Sequence, residues 1–174
     1  MSAIRIAAVL GLLVSGACAR SSGAPGAAEE DREVAIYAAV IRHMASEQGQ
    51  SSGFRVIYLV DRALENADDP DDPGVGEPFP QEDRDALAEA VADVAPLEFV
   101  SSRTEVIGPM EEGGRVENQG ILLTLGPIAG EDDRALVPAS SYLANLAGTW
   151  QTWVVERIGD GWRVTGTEGP VAIS

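Results

Sequence analysis

Lysine is absent from this 174-residue chain, and cysteine and histidine occur once each. Every one of its 12 basic residues is therefore an arginine. Without lysine there is no phosphate loop of the Walker A type, no Schiff-base amine and no Ser-x-x-Lys nucleophile pair. One histidine excludes an H-E-x-x-H motif and a three-histidine zinc centre. One cysteine cannot form an internal disulfide in an oxidising compartment, and none is needed. The cations face 28 acidic residues, which leaves a net charge of −16. Nucleic-acid binding is driven mainly by attraction of cations to phosphate, so a chain with this balance is not a nucleic-acid binder. The same charge repels bare anionic lipid and favours solubility.

Long hydrophobic runs are also missing. The apolar stretch from Ile6 to Val14 is about nine residues, against the ~20 needed to cross a bilayer. It follows a short start carrying Arg5 and ends in Ser15-Gly16-Ala17-Cys18. A thiol placed directly after small residues is the layout of a bacterial lipoprotein signal peptide, with residues 1–17 removed and Cys18 lipidated. The chain would then be anchored to a membrane without spanning it. Position 15 is Ser where such signals usually carry Leu. Ala17-Cys18-Ala19 also fits ordinary signal peptidase, which would release a secreted chain beginning at Arg20. Both readings place the mature protein outside the cytoplasm.

Residues 18–28, rich in Ser, Gly, Ala and Pro, read as a flexible tether, and residues 29–174 as a single domain. About 145 residues suffice to bury roughly two-thirds of the unfolded surface. Val34, Tyr37, Ala38, Ile41 and Ala45 recur at helical spacing and predict a helix over Glu29–Glu47, with acids in its first turn. Phe54 to Val60 predicts a strand buried on both faces, because apolar residues occupy both parities. Four prolines between Asn66 and Pro80 predict a loop, and Leu87, Val91 and Val94 mark a second helix over Gln81–Val94. Strands follow at Leu97–Ile107, Arg115–Leu125, Ala135–Leu143, Thr149–Ile158 and Trp162–Thr167, the last two joined at Gly159-Asp160-Gly161. The expected fold is α+β, with two helices packed on one face of a four- to six-stranded antiparallel sheet.

The last third carries Ser141-Tyr142, Asn145-Leu146-Ala147-Gly148, Val155-Glu156-Arg157, Gly161-Trp162-Arg163-Val164 and a terminal Ile173-Ser174. It resembles a set of bacterial secreted proteins and lipoproteins that end in a Ser-Tyr strand, a Gly-rich turn, a V-x-E strand, a G-x-W-x-V strand and W-I-S. Here Ala172 stands where the final Trp of that pattern would be. The resemblance implies fold and export, and no activity.

Asp68, Asp69, Asp71 and Asp72 beside Gly74 are the one acidic cluster that invites a hard cation. Asp71 and Gly74 fit the third and sixth positions of a calcium loop begun at Asp69, but Pro73 and Pro80 occupy ligand positions, so a solvated loop is expected. His43, on the first helix, has no nucleophile motif to serve. Glu98, Glu105, Glu117 and Glu156 fall on expected strands, where two converging carboxylates could support hydrolysis. Trp150, Trp153 and Trp162 could form a ligand-stacking platform or be core contacts between strands. No cofactor is implied. The expected function is an extracytoplasmic, lipid-anchored accessory or binding module for an unknown protein or small molecule. The alternatives are a small carboxylate-dependent hydrolase and a freely secreted interaction protein.

Overall fold

The computed structural model describes residues 25–173, with 25–30 and 49–52 in backbone alone. The signal segment, Cys18 and the tether up to residue 24 lie outside the described residues. Helix α1 spans Pro25–Ser52, longer at both ends than its periodicity suggests. Its apolar face is broad: Ile36, Tyr37, Val40, Ile41, Met44 and Ala45 are all buried. The helix stops at Gly53, whose left-handed φ of 57° suits the residue just beyond a helix end. Strand β1 follows at Val56–Ala63, then α2 at Gln81–Val91 and β2 at Leu97–Val100. The later strands are β3 at Gly120–Leu125, β4 at Arg134–Ala144, β5 at Ala147–Ile158 and β6 at Gly161–Ile173.

The fold is α+β, with both helices on a six-stranded sheet ordered β2-β1-β3-β4-β5-β6. The antiparallel arrangement holds from β3 to β6, whereas β1 runs parallel to both β2 and β3. The reason is local. β1 is apolar on both faces and is followed by a helix, the pattern of a β-α-β crossover, which returns a strand in the same direction. Ile57, Leu59, Ile121, Leu123, Val137, Trp153 and Val155 meet α1 and α2 on one face. Val56, Tyr58, Val60, Leu122, Tyr142 and Trp150 point to the other.

That second face is covered by the chain between β2 and β3. To enter β3 parallel to β1, residues 101–119 must return to the starting end of the sheet. They do so through three short 3-10 turns, Arg103–Glu105, Met110–Glu112 and Glu117–Gln119, laying Val106 and Val116 on the sheet. The strands expected over Leu97–Ile107 and Arg115–Leu125 are thus cut to four and six residues. Only the Ile107–Val116 bridge remains of the hairpin anticipated between them. Likewise α2 stops before Val94, which is 36% exposed, as tight bonds from Ala92 N–H to Glu89 and from Val94 N–H to Val91 close the helix ahead of Pro96.

The proline loop is bound to the end of β1. Ala63 N–H donates to Glu77 (3.2 Å), Glu65 N–H to Val75 (3.1 Å) and Phe79 N–H to Asp61 (2.9 Å). This seats Phe79 between the rings of Tyr37 (5.5 Å) and Phe99 (6.5 Å). At the far edge, β6 interrupts its own pairing with β5: the register slips between Trp150 and Thr152 and again between Val154 and Val155. Gly169, at φ 81°, and Pro170 lie within the first of these slips.

Tyr37 links the helix layer to the sheet end. Its hydroxyl donates to Gly126 O (3.1 Å), and burial first, then the nearby Glu33 carboxylate, raises its pKa above the ordinary value of about 10. A phenol whose folded pKa is raised stabilises fully below its unfolded pKa, and that contribution is lost as pH climbs past it. At pH 7, Tyr37→Phe is expected to cost about 1–2 kcal/mol by leaving a buried carbonyl short of a donor. The gap to the parent should narrow above about pH 10, where only the parent's unfolded chain gains an ionised Tyr37. Urea melts of both proteins from pH 7 to 11 measure it, and a constant gap would reject the assignment.

Candidate functional site

A cavity of about 820 Å³ lies at the end of the sheet where β1 and β3 begin and β4 turns into β5. Phe54, Val116, Leu143, Ala144 and Ala147 supply an apolar wall. Arg115, Gln119 and Asn145 supply polar groups, and Gly53 and Gly120 open the floor. Its volume is within the usual range for small-molecule sites.

Three backbone bonds hold the returning segment in place around it. Arg55 N–H donates to Gln119 O (2.9 Å), Val116 N–H to Leu143 O (2.9 Å) and Asn145 N–H to Gly113 O (3.0 Å). Within that segment, Asn118 (φ 53°) and Gln119 (φ 56°) are consecutive non-glycine residues in the left-handed region. Each such residue costs on the order of 1 kcal/mol or more, and strain of this kind concentrates at binding and catalytic sites. Asn118 is supported by its side-chain amide, which donates to the Tyr58 hydroxyl at 2.7 Å. Gly120 follows because a Cβ there would come within 2.7 Å of the Tyr58 ring. Gln119 is also a wall of a second cavity, about 380 Å³, shared with Arg55, Tyr58, Glu98 and Asn118. Among the described residues, Arg55 and Arg115 are in no ion pair, as is also true of Arg32, Arg103, Arg157 and Arg163.

The residues singled out from sequence lie mostly elsewhere. Trp150 and Trp153 are buried on opposite faces of the sheet, so with Trp162 they make no common platform. Trp162 is half-buried opposite Arg157, with the Arg32 guanidinium 5.2 Å from its ring centre. His43 packs edge-on against Trp153 at 4.7 Å, its Nε2 3.5 Å from Glu47 Oε1. The carboxylates remain dispersed. Glu98 lines the smaller cavity, Glu105 accepts from the Ser101 hydroxyl, Glu117 is exposed, and Glu156 stands between Arg134 and Arg163 on the neighbouring strands.

Asp69 uses Oδ1 to accept the N–H groups of Asp71 (2.9 Å) and Asp72 (3.3 Å), so it closes its own turn. Asp71 is exposed, and among the described residues no three His, Cys, Asp or Glu side chains gather as a metal site. Asp68 instead accepts the Thr152 hydroxyl at 2.6 Å, tying the loop to β5.

Displaced titrations also lie away from the cleft. Arg42, hydrogen-bonded to Asp93, holds that carboxyl below the usual range; burial, then Glu82, raises Asp83; burial lowers Arg103, which stacks on Tyr142. Sequence reasoning assigned no site role to Arg115, Asn118 and Gln119, and named Asn145 only within the resemblance. The available signal was Asn118 near Gly120, turn chemistry inside what was otherwise one expected strand.

Compared with family models, curated proteins and solved structures, the chain matches none of them.

Proposed function

We propose that this chain is an extracytoplasmic, lipid-anchored binding module whose ligand occupies the cleft beside Arg115 and Gln119. The observation that carries the reading is the makeup of the cleft. Its described lining joins an apolar wall to amides and one guanidinium, the few convergent polar groups typical of a ligand site. That described lining includes neither His43 nor two glutamates, the groups a small hydrolase would bring together. The strained Asn118-Gln119 pair supports the same place, since strain is retained where the surrounding structure enforces it.

A fragment screen followed by backbone amide chemical shifts tests the cleft. Hits are expected to perturb Val116, Gln119, Leu143 and Ala147 together, and hits that map only to other surfaces would overturn it. The anchor is tested separately. Two acyl chains on Cys18 hold a protein stably at a membrane where one would be marginal. Cys18→Ser should therefore move the protein from the membrane fraction to the soluble one or leave unprocessed precursor. Native protein recovered in soluble form with Arg20 at its N-terminus would leave the freely secreted module in its place.

A further inference from the structure

Resting on the cleft as a ligand site, we propose that it takes a small monoanionic carboxylate with an apolar body, and that Arg115 receives the carboxylate. Arg115 is the only charged group among the described lining of the larger cavity, and no carboxylate among the described residues occupies its guanidinium. Its backbone is fixed on both sides, with its carbonyl accepting from Gly108 N–H (2.9 Å) and the next residue, Val116, buried against the sheet. The side chain itself is exposed, and its guanidinium offers a planar fork of donors that fits a carboxylate with two parallel bonds.

The rest of the ligand follows from its surroundings. Phe54, Leu143 and Ala147 offer carbon surface to an aromatic or aliphatic body, and Gln119 and Asn145 offer amides to a further polar atom. A net charge of −16 repels a polyanion more strongly than a single charge, so one carboxylate is favoured over phosphate esters or oligoanions.

The purified full chain is titrated calorimetrically with 3-phenylpropionate and with its neutral isostere 3-phenylpropionamide. The acid is expected to bind saturably and at least fivefold more tightly than the amide. Arg115→Gln should bring the acid to the level of the amide, while Arg163→Gln, on the outer strand, leaves it unchanged. Ala147→Trp, which fills the cleft, should abolish both. Equal binding of acid and amide, lost in Ala147→Trp, would reject the carboxylate preference and leave the cleft standing. Absence of binding by either probe, or binding indifferent to Ala147→Trp, would reject the cleft as well. Thermal melts of each variant separate lost binding from lost folding.

Discussion

Trp153→Ala is expected to remove most of the stability of the fold. The side chain is 4% exposed and lies on β5 between Val137 of β4 and Thr167 of β6, on the face that meets the helices. The His43 ring rests against it, so it is one of the points where α1 meets the antiparallel half of the sheet. Truncating a buried Trp costs about 3–5 kcal/mol, from lost transfer energy and from the cavity left behind. Domains of this kind hold only about 5–15 kcal/mol in all. Its Nε1 has no hydrogen-bond partner among the described residues, so Trp153→Phe removes an unsatisfied donor while losing volume and should cost less than the alanine. Urea unfolding followed by circular dichroism should show a large fall in midpoint at unchanged slope for the alanine and a smaller one for the phenylalanine. Trp162→Ala, at a half-buried position on the outer strand, should fall between parent and Trp153→Ala. An unaltered midpoint in Trp153→Ala would contradict the packing described here.

Gly76→Ala is the second change with a large expected effect. A Cβ at this position would stand 1.6 Å from Ala63 O and 2.6 Å from its carbonyl carbon. Both are backbone atoms, so no rotamer relieves the clash, and the proline loop must lift away from the end of β1. Lifting it strains the Ala63–Glu77 and Glu65–Val75 bonds and unseats Phe79 from between Tyr37 and Phe99. At about 1 kcal/mol per bond, with the loss of aromatic packing added, the cost is about 3 kcal/mol. The variant should melt earlier and be cut by protease between residues 66 and 80 while the rest of the chain still resists. Val75→Ala, at a neighbouring side chain that is 74% exposed, serves as the control and should behave as the parent. A Gly76→Ala protein with parental melting and cleavage would show that the loop is not held against β1.

What could be read from sequence divides along physical lines. The helix of Tyr37 and Ile41, the two-faced strand at Val56–Val60 and the turn before Trp162 are fixed by neighbours in the chain, and periodicity sees them. The parallel pairing of β1 with β3 joins Ile57 to Ile121, and no local pattern specifies a partner at that distance. The cleft was hidden for a related reason. The strand expected from sequence runs straight through Arg115–Leu125, but Asn118 and Gln119 leave the extended region there, and the Tyr58 ring and hydroxyl that accommodate them come from another strand. The tryptophans show a third limit. Parity correctly separates Trp150 from Trp153, yet it is the cover laid down by residues 101–119, with Leu64 and Ala67, that buries the outer face of the sheet.

The irregular outer strand has a consequence for how copies of this protein behave when crowded. A sheet ending in a long, straight strand invites a neighbouring chain to dock onto its open backbone groups, the first step toward fibrous aggregation. Strand β6 is 13 residues long, enough to template such growth. The slips opposite Trp150–Thr152 and Val154–Val155 break that length into short runs, and Pro170 withholds a donor in one of them. Glu168, 54% exposed beside the Arg134 guanidinium, adds a solvated charge on the same strand. The irregularity of β6 thus limits unwanted polymerisation at the one edge where the sheet is long enough to need such protection.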